Sequence, residues 1–342
     1  MSARRSAGWA VAAVILIAMF ANSAAAAQIG VRFTLDFAFE GPSAPFLVPL
    51  DKGYYRAEGL DVTIEPASNS LEPIKRVASG DYDIGFGDIN SLIKLRDADP
   101  SIPVKAVFML YNRPPFAVIG RKSRGVNKPK DLEEKILGAP TTDASFAQWP
   151  IFAKVNNIDV AKVKIENVST PVREPMLAAG QVDAITGNSF TAFVDLKDKG
   201  VPVDDISVLL MADYGVELYG SAILVNSKFA ADHPEAVKGF LRAFARGLKD
   251  TIKHPPIAVE SVLKRNSQAI KTVEIERLTM AIRENIVTPE VKMNGYGDID
   301  RDRFAGAIEQ IALTHKFKTA KPKPEDVFDA SFLPSAAERK YR

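Results

Sequence analysis

The chain has 342 residues, is 46% hydrophobic and 25% charged, and sets 44 Lys+Arg against 42 Asp+Glu for a formal net charge of +2. That length allows two packed domains, and so even a charge balance excludes the basic surface of a nucleic-acid binder. The sequence contains no cysteine, which excludes a disulfide framework, a thiol nucleophile and a thiol-linked lipid anchor.

At the N-terminus Arg4 and Arg5 precede the apolar run Trp9 to Phe20, and a small-residue stretch ends in Ala25-Ala26-Ala27. The pattern predicts an export signal over 1–27 with cleavage before Gln28, because the run falls short of the roughly 20 residues that cross a bilayer. Without Arg4 and Arg5 the mature chain has 42 Lys+Arg (44 less these two) against 42 Asp+Glu and is formally neutral. An exported chain with no anchor is expected to be soluble and to be retained in a periplasm, which implies a Gram-negative envelope.

Short β-type runs then alternate with helical patterns: Val31 to Phe37, Val62 to Ile64, Asp83 to Phe86, Val104 to Leu110, Ala117 to Ile119, Lys135 to Ala139, Val163 to Ile165, Val182 to Thr186 and Ser221 to Val225. This order predicts α/β layers with largely parallel sheets. Between the first two runs, Phe46, Leu50 and Tyr54 fall four apart and Gly59 supplies a helix stop.

An internal repeat runs through this region. Residues 78–88 read Ala-Ser-Gly-Asp-Tyr-Asp-Ile-Gly-Phe-Gly-Asp, and residues 178–188 read Ala-Ala-Gly-Gln-Val-Asp-Ala-Ile-Thr-Gly-Asn. The 100-residue offset pairs Gly80 with Gly180, Asp83 with Asp183, Gly87 with Gly187 and Asp88 with Asn188. The period is far too long for a solenoid and predicts two related α/β lobes whose strand ends face each other across a cleft. Long amphipathic helices follow. One starts at Pro234 with Val237, Phe240, Leu241, Phe244 and Leu248 on one face, and another starts after Thr272 with Ile275, Leu278 and Ile282. Both are expected to return to the first lobe, and the Pro-rich, charged tail from Lys321 to Arg342 to lie loosely on the surface.

Lys52-Gly53-Tyr54-Tyr55 and Glu58-Gly59-Leu60-Asp61-Val62 stand between the first two runs, and further on come Gly80-Asp81-Tyr82-Asp83-Ile84, Lys130-Asp131-Leu132 and Gly180-Gln181-Val182-Asp183-Ala184. Spread over residues 31–227, these segments make the chain resemble the substrate-binding proteins of ABC importers for nitrate, sulfonates, taurine and thiamine-precursor pyrimidines. The resemblance implies a type II periplasmic binding protein fold, in which two α/β lobes joined by two crossover strands close on a ligand in the cleft between them. The expected lobes are 28–114 with 222–342 (lobe I) and 115–221 (lobe II). It further implies a monomer that captures a small molecule by hinge closure and delivers it to a membrane permease and its ATPase, with no cofactor, no metal and no nucleic acid. A ligand-sensing module for a membrane receptor is the alternative with the same fold.

Loops after strands supply the expected ligand-binding residues: Phe37, Phe39, Ser43, Ser68, Asn69, Asp88, Thr141, Thr142, Asp143, Asn188 and Glu217. The polar ones can equally be helix N-caps, and a capped helix start also offers free N–H groups. Glu40, Asp88, Asp143 and Glu217 fall among the loops and few arginines do, which favours a nitrogen-containing or heteroaromatic ligand over a bare oxyanion. A sulfonate, nitrate or aromatic carboxylate is the alternative. Phe37 stands where the family usually has Trp, and Ser43 where its pyrimidine binders tend to have His.

An enzyme is not expected. The histidines, His233, His254 and His315, all lie in the C-terminal helical part without metal spacing, and no Gly-rich phosphate loop occurs. The same family contains a pyrimidine-making enzyme that consumes an active-site histidine, and the corresponding loops here have none.

Overall fold

A computed structural model describes residues 28–318 and 320–341; the export signal expected over 1–27 lies outside them. Its strands are β1 (Ile29–Thr34), β2 (Leu60–Glu65), β3 (Ile84–Asp88), β4 (Val104–Met109), β5 (Phe116–Arg121), β6 (Ile136–Ala139), β7 (Lys164–Asn167), β8 (Ala184–Asn188), β9 (Ile206–Leu210) and β10 (Ser221–Asn226). Helices of eight residues or more are α1 (Ala44–Asp51), α2 (Glu72–Ser79), α3 (Ile89–Ala98), α4 (Thr170–Ala178), α5 (Ser189–Asp198), α6 (Pro234–Lys253), α7 (Pro255–Leu263), α8 (Lys271–Ala281) and α9 (Arg301–Ala312). None is long and apolar enough to cross a membrane.

The strands form two five-stranded sheets, ordered β2-β1-β3-β10-β4 and β7-β6-β8-β5-β9. The second repeats the first, with β6, β7 and β8 in the places of β1, β2 and β3, as the 100-residue period requires. Gly80 and Gly180 end their helices with φ of 81° and 72°, a conformation that costs glycine nothing. Asp83 and Asp183 then repeat one contact. Asp83 accepts from the Arg32 N–H at 2.8 Å and pairs with the Arg32 guanidinium, while Asp183 accepts from the Ile136 N–H at 2.9 Å and pairs with Arg124.

Three features depart from expectation. The sheets are mixed and not largely parallel, because β10 runs antiparallel to β3 and β4, and β5 runs antiparallel to β8 and β9. Each of these strands enters its sheet from the other half of the molecule, so it arrives against the direction of its βαβ neighbours. Strand β9 is a further element: its Ile206-Ser-Val-Leu-Leu run was not among the expected strands, being a short apolar stretch without flanking repeat signals. Finally, the tail docks. Asp329 donates its N–H to the Ala106 carbonyl at 2.8 Å, Phe328 bridges Ala106, and Val327 and Phe328 are buried, so the tail covers the outer edge of β4.

The long helix from Pro234 packs as its stripe predicts. Phe240 and Phe244 of α6 lie 4.7–5.3 Å from Phe33, Phe46, Tyr55 and Phe108, which makes an aromatic core between α6, α1 and the first sheet. The chain crosses between the sheets twice, through 110–115 after β4 and through 211–220 after β9.

Candidate functional site

The loops that leave β1, β2, β6, β7 and β8 converge on one cleft between the two sheets. One part of it is a hollow open to solvent. Asp36, Phe37, Asn69 and Ser70 line it from the first sheet's side; Asp143, Thr170, Arg173, Asn188 and Thr191 line it from the second. A neighbouring space shares Asp36, Phe37, Asn188 and Thr191 and extends along Glu40, Ser43, Phe46, Phe86, Tyr111 and Phe190. The wall therefore combines amide, hydroxyl and carboxyl groups with aromatic faces, the usual makeup of a site for a small, partly flat molecule.

The expected ligand residues separate into groups. Phe37, Asn69, Asp143 and Asn188 meet in the first space and Ser43 in the second. Ser43 is buried and spends its hydroxyl on the Glu40 carbonyl at 2.7 Å. Asp88 is 1% exposed and caps α3, accepting from the Asn90 N–H at 3.3 Å and from the Ser91 N–H at 2.8 Å. It sits beneath the cleft. Ser68, Thr141 and Thr142 are exposed, and Thr142 faces an outer groove with Asn69, Glu72 and Lys75. Phe39 packs among partly buried apolar groups behind the loop, where its carbonyl accepts from Asn266 at 2.9 Å. Glu217 is exposed and borders a separate hollow near the crossovers, with Asn112, Thr288, Glu290 and Arg303.

Asp143 does two jobs. One oxygen accepts from the Ser145 N–H at 3.0 Å, and the other accepts from Arg173 at 2.9 Å. Asn188, the repeat partner of Asp88, starts α5 but makes no side-chain cap, which leaves its amide to the cleft. Ser70, on the loop after β2 that the sequence reading placed at the cleft, is on the wall; the reading missed Asp36, Thr170, Arg173 and Thr191. The repeat carried the signal for one of these, since Thr170 stands 100 residues after Ser70 and both line the wall. Arg173 corrects the expectation of an arginine-poor lining; it is buried against Asp143 and Glu174, the latter at 2.6 Å.

Burial pushes the Asp36 carboxyl up to about 7. It accepts from Ser221 Oγ at 3.4 Å, and no salt bridge reaches it among the described residues. Burial likewise pushes Glu40 up to about 7, against the pull of Arg277, whose Nε lies 3.6 Å away. Arg277 also holds Asp195 and Glu274 at 2.5 Å each. Because Arg277 lies on α8 and Asp195 on α5, this pair joins the parts built on the two sheets. Lys197 with Glu276, and Lys94 with the Ala147 carbonyl at 2.9 Å, make further joins. All three histidines lie away from the cleft: His315 is bonded to Asp97 at 2.8 Å, and His233 and His254 stand at the two ends of α6.

Known proteins match over most of this architecture. A riboflavin-binding protein of Chloroflexus aurantiacus is 27% identical over 223 residues, covering 65% of this chain and 62% of that protein. A formylaminopyrimidine-binding protein of Halalkalibacterium halodurans is 26% identical over 290 residues, 83% of this chain and 84% of that protein. A protein named 4-amino-5-hydroxymethyl-2-methylpyrimidine phosphate synthase, from Schizosaccharomyces pombe, is 25% identical over 222 residues, 62% of each chain. Among solved structures, the alkanesulfonate-binding protein SsuA of Xanthomonas axonopodis pv. citri superposes with a TM-score of 0.62 at 14% identity, covering 84% of this chain and 92% of that one. Its fold is that of the periplasmic binding proteins, two α/β halves with a cleft between them, as here. The family model described as NMT1/THI5 like matches residues 41–258, from the loop that carries the cleft wall to the second helix of the C-terminal part, and the chain belongs to that family.

Proposed function

We propose that this chain is the solute-capturing component of an ABC importer, exported to a periplasm by the segment 1–27 and working there as a soluble monomer that delivers its ligand to a permease and ATPase. Its lobes are 28–114 with 222–342 and 115–221, and the crossovers are the hinge. Ligand touching both walls binds the closed form better than the open one and shifts the population toward it. The observation that carries this reading is the shared wall: Asp36, Phe37 and Asn69 from one sheet face Asp143, Thr170 and Asn188 from the other.

The ligand is a small nitrogen-containing, heteroaromatic molecule, stacked near Phe37 and hydrogen-bonded by Asn69, Asn188 and the cleft carboxyls. A second reading, an aromatic carboxylate or sulfonate, is favoured by Arg173 alone, and Asp143 and Glu174 already offset that charge. No chemistry is performed on the ligand; the cleft wall has no histidine and no cysteine. Native mass spectrometry of the purified protein, with a thermal-melt screen of amines, pyrimidines, flavins, sulfonates and nitrate, tests the proposal. Stabilisation by nitrogen heterocycles supports it. Stabilisation by sulfonates or nitrate alone overturns the ligand class, and turnover of any hit overturns the capture role.

A further inference from the structure

The cleft contains more acid than base. Arg173 is matched by two carboxylates, Asp143 and Glu174, and Arg277 by three, Glu40, Asp195 and Glu274. Among the described residues no ion pair reaches Asp36, and the charged group that acts on it is another carboxyl, Asp88 at the end of β3, which raises it further. Lys94 acts weakly on Asp88 from α3 and spends its hydrogen bonds on the Ala147 carbonyl and Gln148. Tyr111 borders both Asp36 and Glu40, and its hydroxyl stays protonated.

Two carboxyls of this set, Asp36 and Glu40, line one continuous space, and the Arg277 Nε between Glu40 and α8 is buried without a hydrogen bond. A desolvated carboxylate with no counter-ion, as Asp36 is, or one that shares its cation with two others, as Glu40 shares Arg277, is costly and takes a proton or a cation instead. From this charge imbalance, and resting on the capture reading above, we infer that the cleft selects a ligand bearing a cationic amine or amidine group that docks between Asp36 and Glu40. In the empty cleft these carboxyls hold protons near neutral pH, since burial raises both to about 7. Docking of the cation ionises them: each O–H bond breaks, the proton leaves to solvent, and the carboxylate pairs with the N–H of the ligand. Capture is thus linked to proton release, and affinity rises as pH rises through about 7, by up to tenfold per pH unit for each proton released.

A matched set of benzamidine, benzamide and benzoate, which share a ring and differ in charge, tests this on the whole exported protein by calorimetry in buffers of differing ionisation enthalpy. Benzamidine is expected to bind, at least threefold more tightly at pH 8 than at pH 6 and with proton release, while benzamide and benzoate bind more weakly. Asp36→Asn is expected to remove about half of the pH dependence, the part that its own proton contributes. Binding of benzoate or benzamide at least as tight as that of benzamidine overturns the cation preference while leaving solute capture standing, and so does pH-independent binding of benzamidine. Binding of none of the three also overturns it. A ligand-free arm reads the ionisation itself: Asp36→Asn should raise the urea midpoint of the empty protein by clearly more at pH 8 than at pH 5. Equal effects at both pH values overturn the proton assignment whatever ligand the native protein carries.

Discussion

Asp88 and Asn188 stand at the same place in the repeat and do different work. The Asp88 carboxylate is consumed by the first turn of α3, receiving the Asn90 and Ser91 side chains as well as their backbone N–H groups. Asp88→Ala removes a buried cap and leaves those donors without an acceptor, and it should cost about 2 kcal/mol in urea unfolding. Asn188→Ala removes no cap, so its stability should change by less than about 0.5 kcal/mol while ligand affinity falls. Equal destabilisation by both would mean that the two positions are used alike. A second residue-level consequence is a pH slope. Asp36 and Glu40 have folded-state values raised to about 7, so the folded chain binds more protons than the unfolded chain between the ordinary carboxyl range near pH 4 and pH 7. Their contribution to stability is fully present below about pH 4 and is lost as pH rises to about 7, at up to about 1.4 kcal/mol per pH unit for each group. Comparison of the parent with Glu40→Gln by chemical denaturation at pH 5 and pH 7.5 isolates this: the variant should lose less stability over the interval than the parent.

At the scale of elements, the C-terminal segments organise the parts that the repeat leaves incomplete. Arg303 of α9 donates to the Asn112 carbonyl at 2.8 Å and to the Leu218 carbonyl at 3.0 Å, one on each crossover. It also pairs with Glu290 at 2.7 Å and lies over the Tyr219 ring at 4.0 Å, while the Tyr219 hydroxyl donates to Glu290 at 2.7 Å. Arg303→Ala should therefore destabilise by about 2 kcal/mol, because it strands two carbonyls and a carboxylate. Arg303→Lys should recover part of the loss but cannot reach both carbonyls with a planar fork. Thermal unfolding of the two variants checks the order. The tail adds a second cover: with Val327 and Phe328 buried at the β4 edge, truncation after Lys323 should expose that edge and promote association, readable by light scattering.

Across the whole molecule, the two halves are joined by ion pairs between α8 and α5 as well as by the crossovers. Arg277 with Asp195, and Lys197 with Glu276, both span the cleft. Because the chain has no cysteine, Lys228→Cys and Lys164→Cys can carry spin labels at exposed sites on either half without competing thiols. Replacing Asp195 by Asn and Glu276 by Gln together should lengthen the label-to-label distance in ligand-free protein. An unchanged distance would mean that the crossovers alone set the separation of the halves.

The α/β class, nearly all the strands, the amphipathic helix from Pro234 and the existence of two related halves were legible in the sequence, because each depends on local periodicity or on a repeat that survives as residue identity. Helix ends marked by Gly80 and Gly180, and the Asp83 and Asp183 contacts that follow them, belong to this class. The cleft was legible only as a set of loops. Sequence spacing could not say that Asp88 turns under its helix while Asn188 stays free, that Glu217 borders another hollow, or that Thr170 and Arg173 join the wall. Those outcomes follow from which way each loop leaves its sheet once the two halves face each other. The charge of the site was decided the same way: Asp36 and Glu40 share one loop, Arg173 and Arg277 come from two distant helices, and only the tertiary fold places their charges near enough, and far enough from water, to set one another's ionisation.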